Sequence, residues 1–196
     1  MTLSVPKPLR PKTLLRELSP CDRPDLPSPV SPIPWNTPAL WEEAGASLRH
    51  SIDHHRCGLE PVFLLAKTIH TDFAAIFPHL DDLCEKTCPA CTDNCCQRAR
   101  IWADFRDLTF YHLAGISPPD QQTLSKNGDH CRYQSLSGCR LNRFQRPFVC
   151  TWYLCPDQTA LLHHQPAVQV FLNTTIRRIQ ENRRRMEDLF IQALTA

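Results

Sequence analysis

Glycine is scarce in this chain, with five residues in 196. Neither GxGxxG nor GxxxxGK[ST] occurs, so the phosphate-cradling turns of the common nucleotide folds are excluded. A surplus of one charge is also missing. The 22 Lys and Arg stand against 20 Asp and Glu, leaving +2, which asks for neither a nucleic acid nor a membrane as partner. Long apolar runs are absent too, and Val62 to Ala66 is far short of the ~20 residues of a membrane span. The first residues scatter Lys7, Arg10 and Lys12 among prolines without an apolar h-region, so no secretory signal is expected. The expected compartment is cytoplasmic.

Cysteine is what the chain has in excess: eleven residues, nine of them between Cys84 and Cys155. They fall into two groups, Cys84-x3-Cys88-x2-Cys91-x3-Cys95-Cys96 and Cys131-x7-Cys139-x10-Cys150-x4-Cys155. In a reducing compartment an odd number of thiols points to metal rather than to disulfides. Thiolates are soft ligands for Zn or iron–sulfur clusters, and Cys88-x2-Cys91 is the turn that brings two sulfurs to one ion. The adjacent side chains of Cys95 and Cys96 diverge, which favours an iron–sulfur or binuclear centre over one structural Zn. The expected cofactor is therefore an Fe–S cluster or Zn2+, leaning to the former.

Around this cluster the chain reads as mainly helical. Residues 1–38 hold ten of the eighteen prolines and read as an extended, solvated tail containing Cys21, with Trp35 tucking onto the folded body. Residues 39–196 read as a single domain. Thr37-Pro38 predicts an N-cap and first helical position, with Leu40, Trp41, Ala44, Leu48 and Ile52 on one face and an end near Cys57-Gly58. A second helix is expected from Pro61, breaking before Pro78, with an extra turn at Leu80 to Leu83. Residues 84–156 are the cysteine-cluster region, a small metal-centred mixture of short strands, loops and helix. Short strands are expected at Ala99 to Trp102, Cys131 to Gln134 and Phe148 to Leu154. A helix capped by Asp104 or Asp107 should run from about Phe105 to Ala114 and close at Gly115. From Pro166 onward, Val168, Leu172, Ile176, Ile179, Met186, Phe190 and Leu194 predict a long C-terminal helix over 166–195.

Two further groups invite a functional reading. His50 and His54 share a helical face with His55 and Cys57 nearby, but no HExxH pattern accompanies them, so a solvated polar face is the simpler account. Arg177, Arg178, Arg183, Arg184 and Arg185 are read as the polar face of the last helix. Interleaved Glu181, Glu187 and Asp188 make helix decoration the preferred account over an RNA-binding patch.

The motif Cys88-x2-Cys91-x3-Cys95-Cys96, followed by Cys131, Ser137-Gly138-Cys139, Arg146-Pro147-x2-Cys150 and Tyr153-x-Cys155, resembles the bacterial YkgJ-type cysteine-cluster family, a zinc- or iron-chelating domain. The likeness covers about residues 84–156. It departs from the family's CxxCxxCC knuckle in placing three residues between Cys91 and Cys95, which leaves open whether Cys95 or Cys96 is the ligand. The resemblance implies metal ligands at Cys88, Cys91, Cys95 or Cys96, Cys131, Cys139, Cys150 and Cys155, with Cys84 as a further candidate. It also implies that Arg146 directs its guanidinium at a sulfur or a carbonyl of the knuckle. His130, beside Cys131, is an alternative imidazole ligand.

The expected role is structural, redox or metal-handling, with a protein or peptide as possible partner. One alternative is a cluster-dependent enzyme that modifies a protein or peptide, since a related cluster occurs in flagellin lysine N-methylases. Cys84-x3-Cys88-x2-Cys91 also has the spacing of a radical-enzyme triplet, but the strand–helix alternation of a (β/α) barrel is missing. The other alternative is an RNA-associated module using the arginine face.

Overall fold

The computed structural model describes residues 34–91, 100–124, 131–135 and 138–195, all within a unit spanning Ile33–Ala196. The proline-rich tail up to residue 33, with Cys21, lies outside the described residues, as do Cys95, Cys96 and His130.

The described chain is mainly helical. Helix α1, Pro38–His54, starts where Thr37 Oγ1 accepts the amide of Leu40 at 3.3 Å, with Pro38 in the first turn where no amide is needed. It buries Trp41, Leu48 and Ile52 and passes into a tight turn at Arg56–Gly58. Gly58 is not left-handed, so the expected glycine cap at that end is not formed; His55 closes the helix by donating to Ser51 O. Trp35 packs against Trp41 with 6.2 Å between ring centroids.

Helix α2, Glu60–Thr87, does not break at Pro78. Pro78 is solvent-facing, and the carbonyl it leaves unpaired, that of Ala74, belongs to an exposed residue where water can satisfy it. The buried stripe Phe73, Ile76, Phe77, Leu80 and Leu83 runs straight past it. Burying each such side chain is worth roughly 1.5–3 kcal/mol, so the stripe outweighs one missing hydrogen bond. Continuity of α2 carries Cys84 on its last turn and delivers the Cys88–Ala90 turn.

Helix α3, Phe105–Leu113, is capped by Asp104, whose Oδ1 accepts from the Asp107 amide at 2.8 Å while Asp107 Oδ2 accepts from the Asp104 amide. Gly115, at φ 68°, turns the chain out of it. The expected strand over 99–102 is not formed at residues 100–102. Side chains wire this segment instead: Gln122 Oε1 accepts the Ala103 amide and Gln122 Nε2 donates to Ala103 O, while Thr123 donates to Ile101 O.

The sheet is minimal. Strands β1, Gln134–Ser135, and β2, Gly138–Cys139, pair antiparallel, with Gln134 opposite Cys139. Cys131 itself forms an isolated bridge with Leu124 rather than a strand to Gln134. Gly138, at φ 106°, supplies the backbone conformation that this return needs. The strand expected over Phe148 to Leu154 is a helical turn, α4, Val149–Trp152. The Phe148 carbonyl accepts the amides of both Thr151 and Trp152, a local pattern that overrides the β-propensity of the segment. A short helix, α5, Pro156–His163, follows with no counterpart in the sequence reading.

Helix α6, Pro166–Thr195, is the long C-terminal helix expected. It lies antiparallel to α2, since Asp72 meets Arg178 and His79 meets Phe171. Leu172, Ile179, Met186 and Phe190 are fully buried against the shared core.

Candidate cysteine centre

The described cysteines from Cys84 to Cys155 sit on five segments: the end of α2, the turn after it, the Leu124 bridge, β2, and α4 with the start of α5. Cys57, Cys84, Cys91, Cys131, Cys139, Cys150 and Cys155 carry free thiols. Cys131, Cys139 and Cys150 lie near enough for their charges to interact. Burial pushes the Cys150 thiol well above the usual range, and negative charge on Cys139 and Cys131 raises it further. Cys131 is likewise pushed up, first by burial and also by Cys139, against the opposing pull of the Tyr133 and Gln134 amides and of Arg132. Among the described residues, no three Cys, His, Asp or Glu side chains converge closely enough to hold an ion. The sequence places Cys95 and Cys96 beyond those residues.

Arg146 does not reach the Cys88–Cys91 turn by its Nε, which donates to Leu141 O at 3.1 Å. Its positive charge partly offsets the upward shift of Cys150. A cation that does touch a sulfur is Arg143, which sequence reasoning missed: its Nη2 is 3.3 Å from Cys84 Sγ and its Nε is 2.6 Å from Asp81 Oδ1. Gln158 adds a second donor to Cys84 Sγ at 3.5 Å, and its Oε1 accepts the Cys155 amide. Gln158 therefore ties the last turn of α2 to the first turn of α5. Cys155 also caps α5, its sulfur accepting the Gln158 amide.

Aromatic rings clamp the Arg143–Cys150 segment onto the helices. Phe144 stacks on His70 at 4.2 Å and meets Phe77 edge-on at 4.8 Å, while Phe148 packs on Phe73. Tyr111 donates its hydroxyl to Gln145 O at 3.0 Å.

Neither of the other two groups read from the sequence gathers into a site. His50 stacks on His54 and His54 meets His55 edge-on, and Cys57 is exposed. Of the five arginines on α6, Arg178 forks onto Asp72 at 2.7 and 2.8 Å. Arg183 is not on the polar face at all: it is 3 % exposed and joins the core. No described helix is long and apolar enough to cross a membrane. Comparison with protein-family models, curated proteins and solved structures finds no match.

Proposed function

We propose that this chain is a metal-binding cysteine-cluster protein, holding Zn2+ or an iron–sulfur cluster in a structural, redox or metal-handling role. The carrying observation is that Cys131, Cys139 and Cys150 arrive on three separate segments, the Leu124 bridge, β2 and α4, with the thiols of Cys131 and Cys150 both pushed up by burial. Left to themselves the thiols of Cys131 and Cys150 hold their protons more tightly than usual, because burial desolvates the thiolate and a neighbouring negative charge repels it. A thiophilic cation reverses that preference: it displaces the protons and neutralises the charge, which is the chemistry of a thiolate metal site. The donor set fits such a group in kind, being soft sulfur with Arg146 nearby to moderate excess negative charge.

The order and companions of the cysteines support the same reading through their resemblance to the YkgJ-type family. On that resemblance Cys88, Cys91 and one of Cys95 and Cys96 join Cys131, Cys139, Cys150 and Cys155 as ligands. Cys84, already engaged by Arg143 and Gln158, is the weakest of the nine candidates. When bound, the metal supplies folding energy to a region whose described residues form two strands of two residues each.

The test is anaerobic purification followed by metal and acid-labile sulfide analysis with a visible spectrum. Iron with sulfide and a broad visible band supports a cluster, and zinc without colour or sulfide supports a structural site. Neither metal in the purified protein, with no zinc or iron taken up on reconstitution, sinks the proposal.

A further inference from the structure

Arg183 is the one cation of the described core, and its surroundings are unusually complete. Its Nη1 lies 2.8 Å from Asp107 Oδ1 and its Nη2 3.0 Å from Asp104 Oδ1. Its guanidinium carbon sits 4.7 Å from the centroid of the Phe148 ring. Burying a guanidinium is costly unless charge partners and hydrogen-bond acceptors surround it, and two carboxylates with an aromatic face supply both. Asp107 is buried as well, at 4 % exposure.

The same Asp107 Oδ1 accepts the backbone amide of Phe148 at 2.9 Å. Arg183 therefore grips residue 148 twice, through its ring and through the carboxylate that holds its amide. The next hydrogen bonds in the chain are Cys150 N to Pro147 O at 2.9 Å and Thr151 N to Phe148 O at 2.8 Å. The turn that presents Cys150 hangs directly on the peptide that this network fixes. A hydrophobic residue at 183 would fill the same helical stripe with no desolvation cost, so stability alone gives no reason for arginine here.

We infer that Arg183 is a positioning residue for Cys150, holding the Arg146–Cys150 turn in register from the C-terminal helix. Its functional meaning rests on the metal-centre reading, because a polydentate site needs each sulfur held at a fixed place. The control is Arg178, a second arginine of α6, whose fork holds Asp72 of α2.

The experiment uses the full chain, reduced and metal-free, titrated with Co2+ against a competing chelator, with iodoacetamide labelling of each cysteine read by mass spectrometry. Arg183→Met is expected to weaken Co2+ binding about tenfold or more and to speed Cys150 labelling, whereas Arg178→Gln changes neither. Arg183→Lys keeps charge and most of the volume but loses the fork. It gives a smaller effect in the same direction and serves where Arg183→Met does not fold. Cys150 labelled no faster in the folded Arg183 variants than in wild type overturns the inference. So does an equal effect from Arg178→Gln. Wild-type protein that binds no Co2+ counts against the metal reading, while the labelling arm still decides the role of Arg183.

Discussion

Arg143 Nη2 lies 3.3 Å from the sulfur of Cys84, across 59 residues of sequence. The guanidinium is only one-tenth exposed at the side chain, and its other edge holds Asp81. The contact joins the last turn of α2 to the turn that leads into the Arg146–Cys150 segment. A double-mutant cycle with Arg143→Gln and Cys84→Ala should give a coupling free energy of about 1 kcal/mol in urea unfolding, the usual worth of one such hydrogen bond. Additive effects would mean that the contact contributes nothing and that Asp81 alone fixes Arg143.

Pro78 gives a prediction of opposite sign. It occupies an exposed position inside a 28-residue helix, where it removes one backbone hydrogen bond. Pro78→Ala restores the donor to Ala74 O and raises helix propensity, against a small entropic gain to the unfolded chain. The free energy of unfolding should rise by about 1–2 kcal/mol. A loss of stability instead would show that the core of α2 depends on the geometry that proline imposes.

How much of this was legible in the sequence depends on the range over which each decision is made. Local signals held: Thr37-Pro38 starts α1, the Asp104–Asp107 box starts α3, and the apolar stripe of α6 runs to its end. The break expected at Pro78 failed because tertiary burial of five apolar neighbours overrides a local rule. Arg183 was legible in principle. Stepping along the stripe from Ile179 by four and on to Met186 by three lands on 183, so its place was a core position occupied by a charge. The sulfur contacts were not legible, since Arg143 and Gln158 lie 59 and 74 residues from Cys84 and no local pattern joins them.

The same division sorts the arginines of α6. Arg184 and Arg185 are exposed, while Arg178 holds the buried Asp72 carboxylate. Arg184→Gln with Arg185→Gln should move stability by no more than about 0.5 kcal/mol. Arg178→Gln leaves a buried carboxylate without its counter-charge and should cost about 1–3 kcal/mol, reduced by the exposure of the arginine end. Chemical denaturation of the two variants side by side decides it, and equal costs would contradict the assignment of Asp72 as the dependent partner.

The pH dependence of stability should carry the mark of His112, in the last turn of α3. Its Nε2 is buried with no hydrogen-bond partner among the described residues, facing Gly45 of α1, and a Cβ at Gly45 would lie 3.5 Å from it. Burial first, and the charge of Arg49 second, lower its pKa from 6.5 to about 4. Between those values the unfolded chain binds a proton that the folded protein refuses. Stability therefore rises with pH across this window and is lost on acidification. Asp107 acts in the opposite sense. Burial lifts it from 3.8 to about 6, so the folded state takes up a proton earlier and loses stability as pH rises through that interval. In wild type the two slopes partly cancel, and removing one exposes the other. His112→Leu should abolish the acid-side loss between pH 6.5 and 4, on the order of 1–2 kcal/mol once the screening of a half-buried ring is allowed for. Asp107→Asn should steepen that loss. Urea unfolding at pH 7 and at pH 5 reads both effects. Parallel profiles for wild type and His112→Leu would mean that the imidazole finds a proton-accepting environment in the folded protein after all.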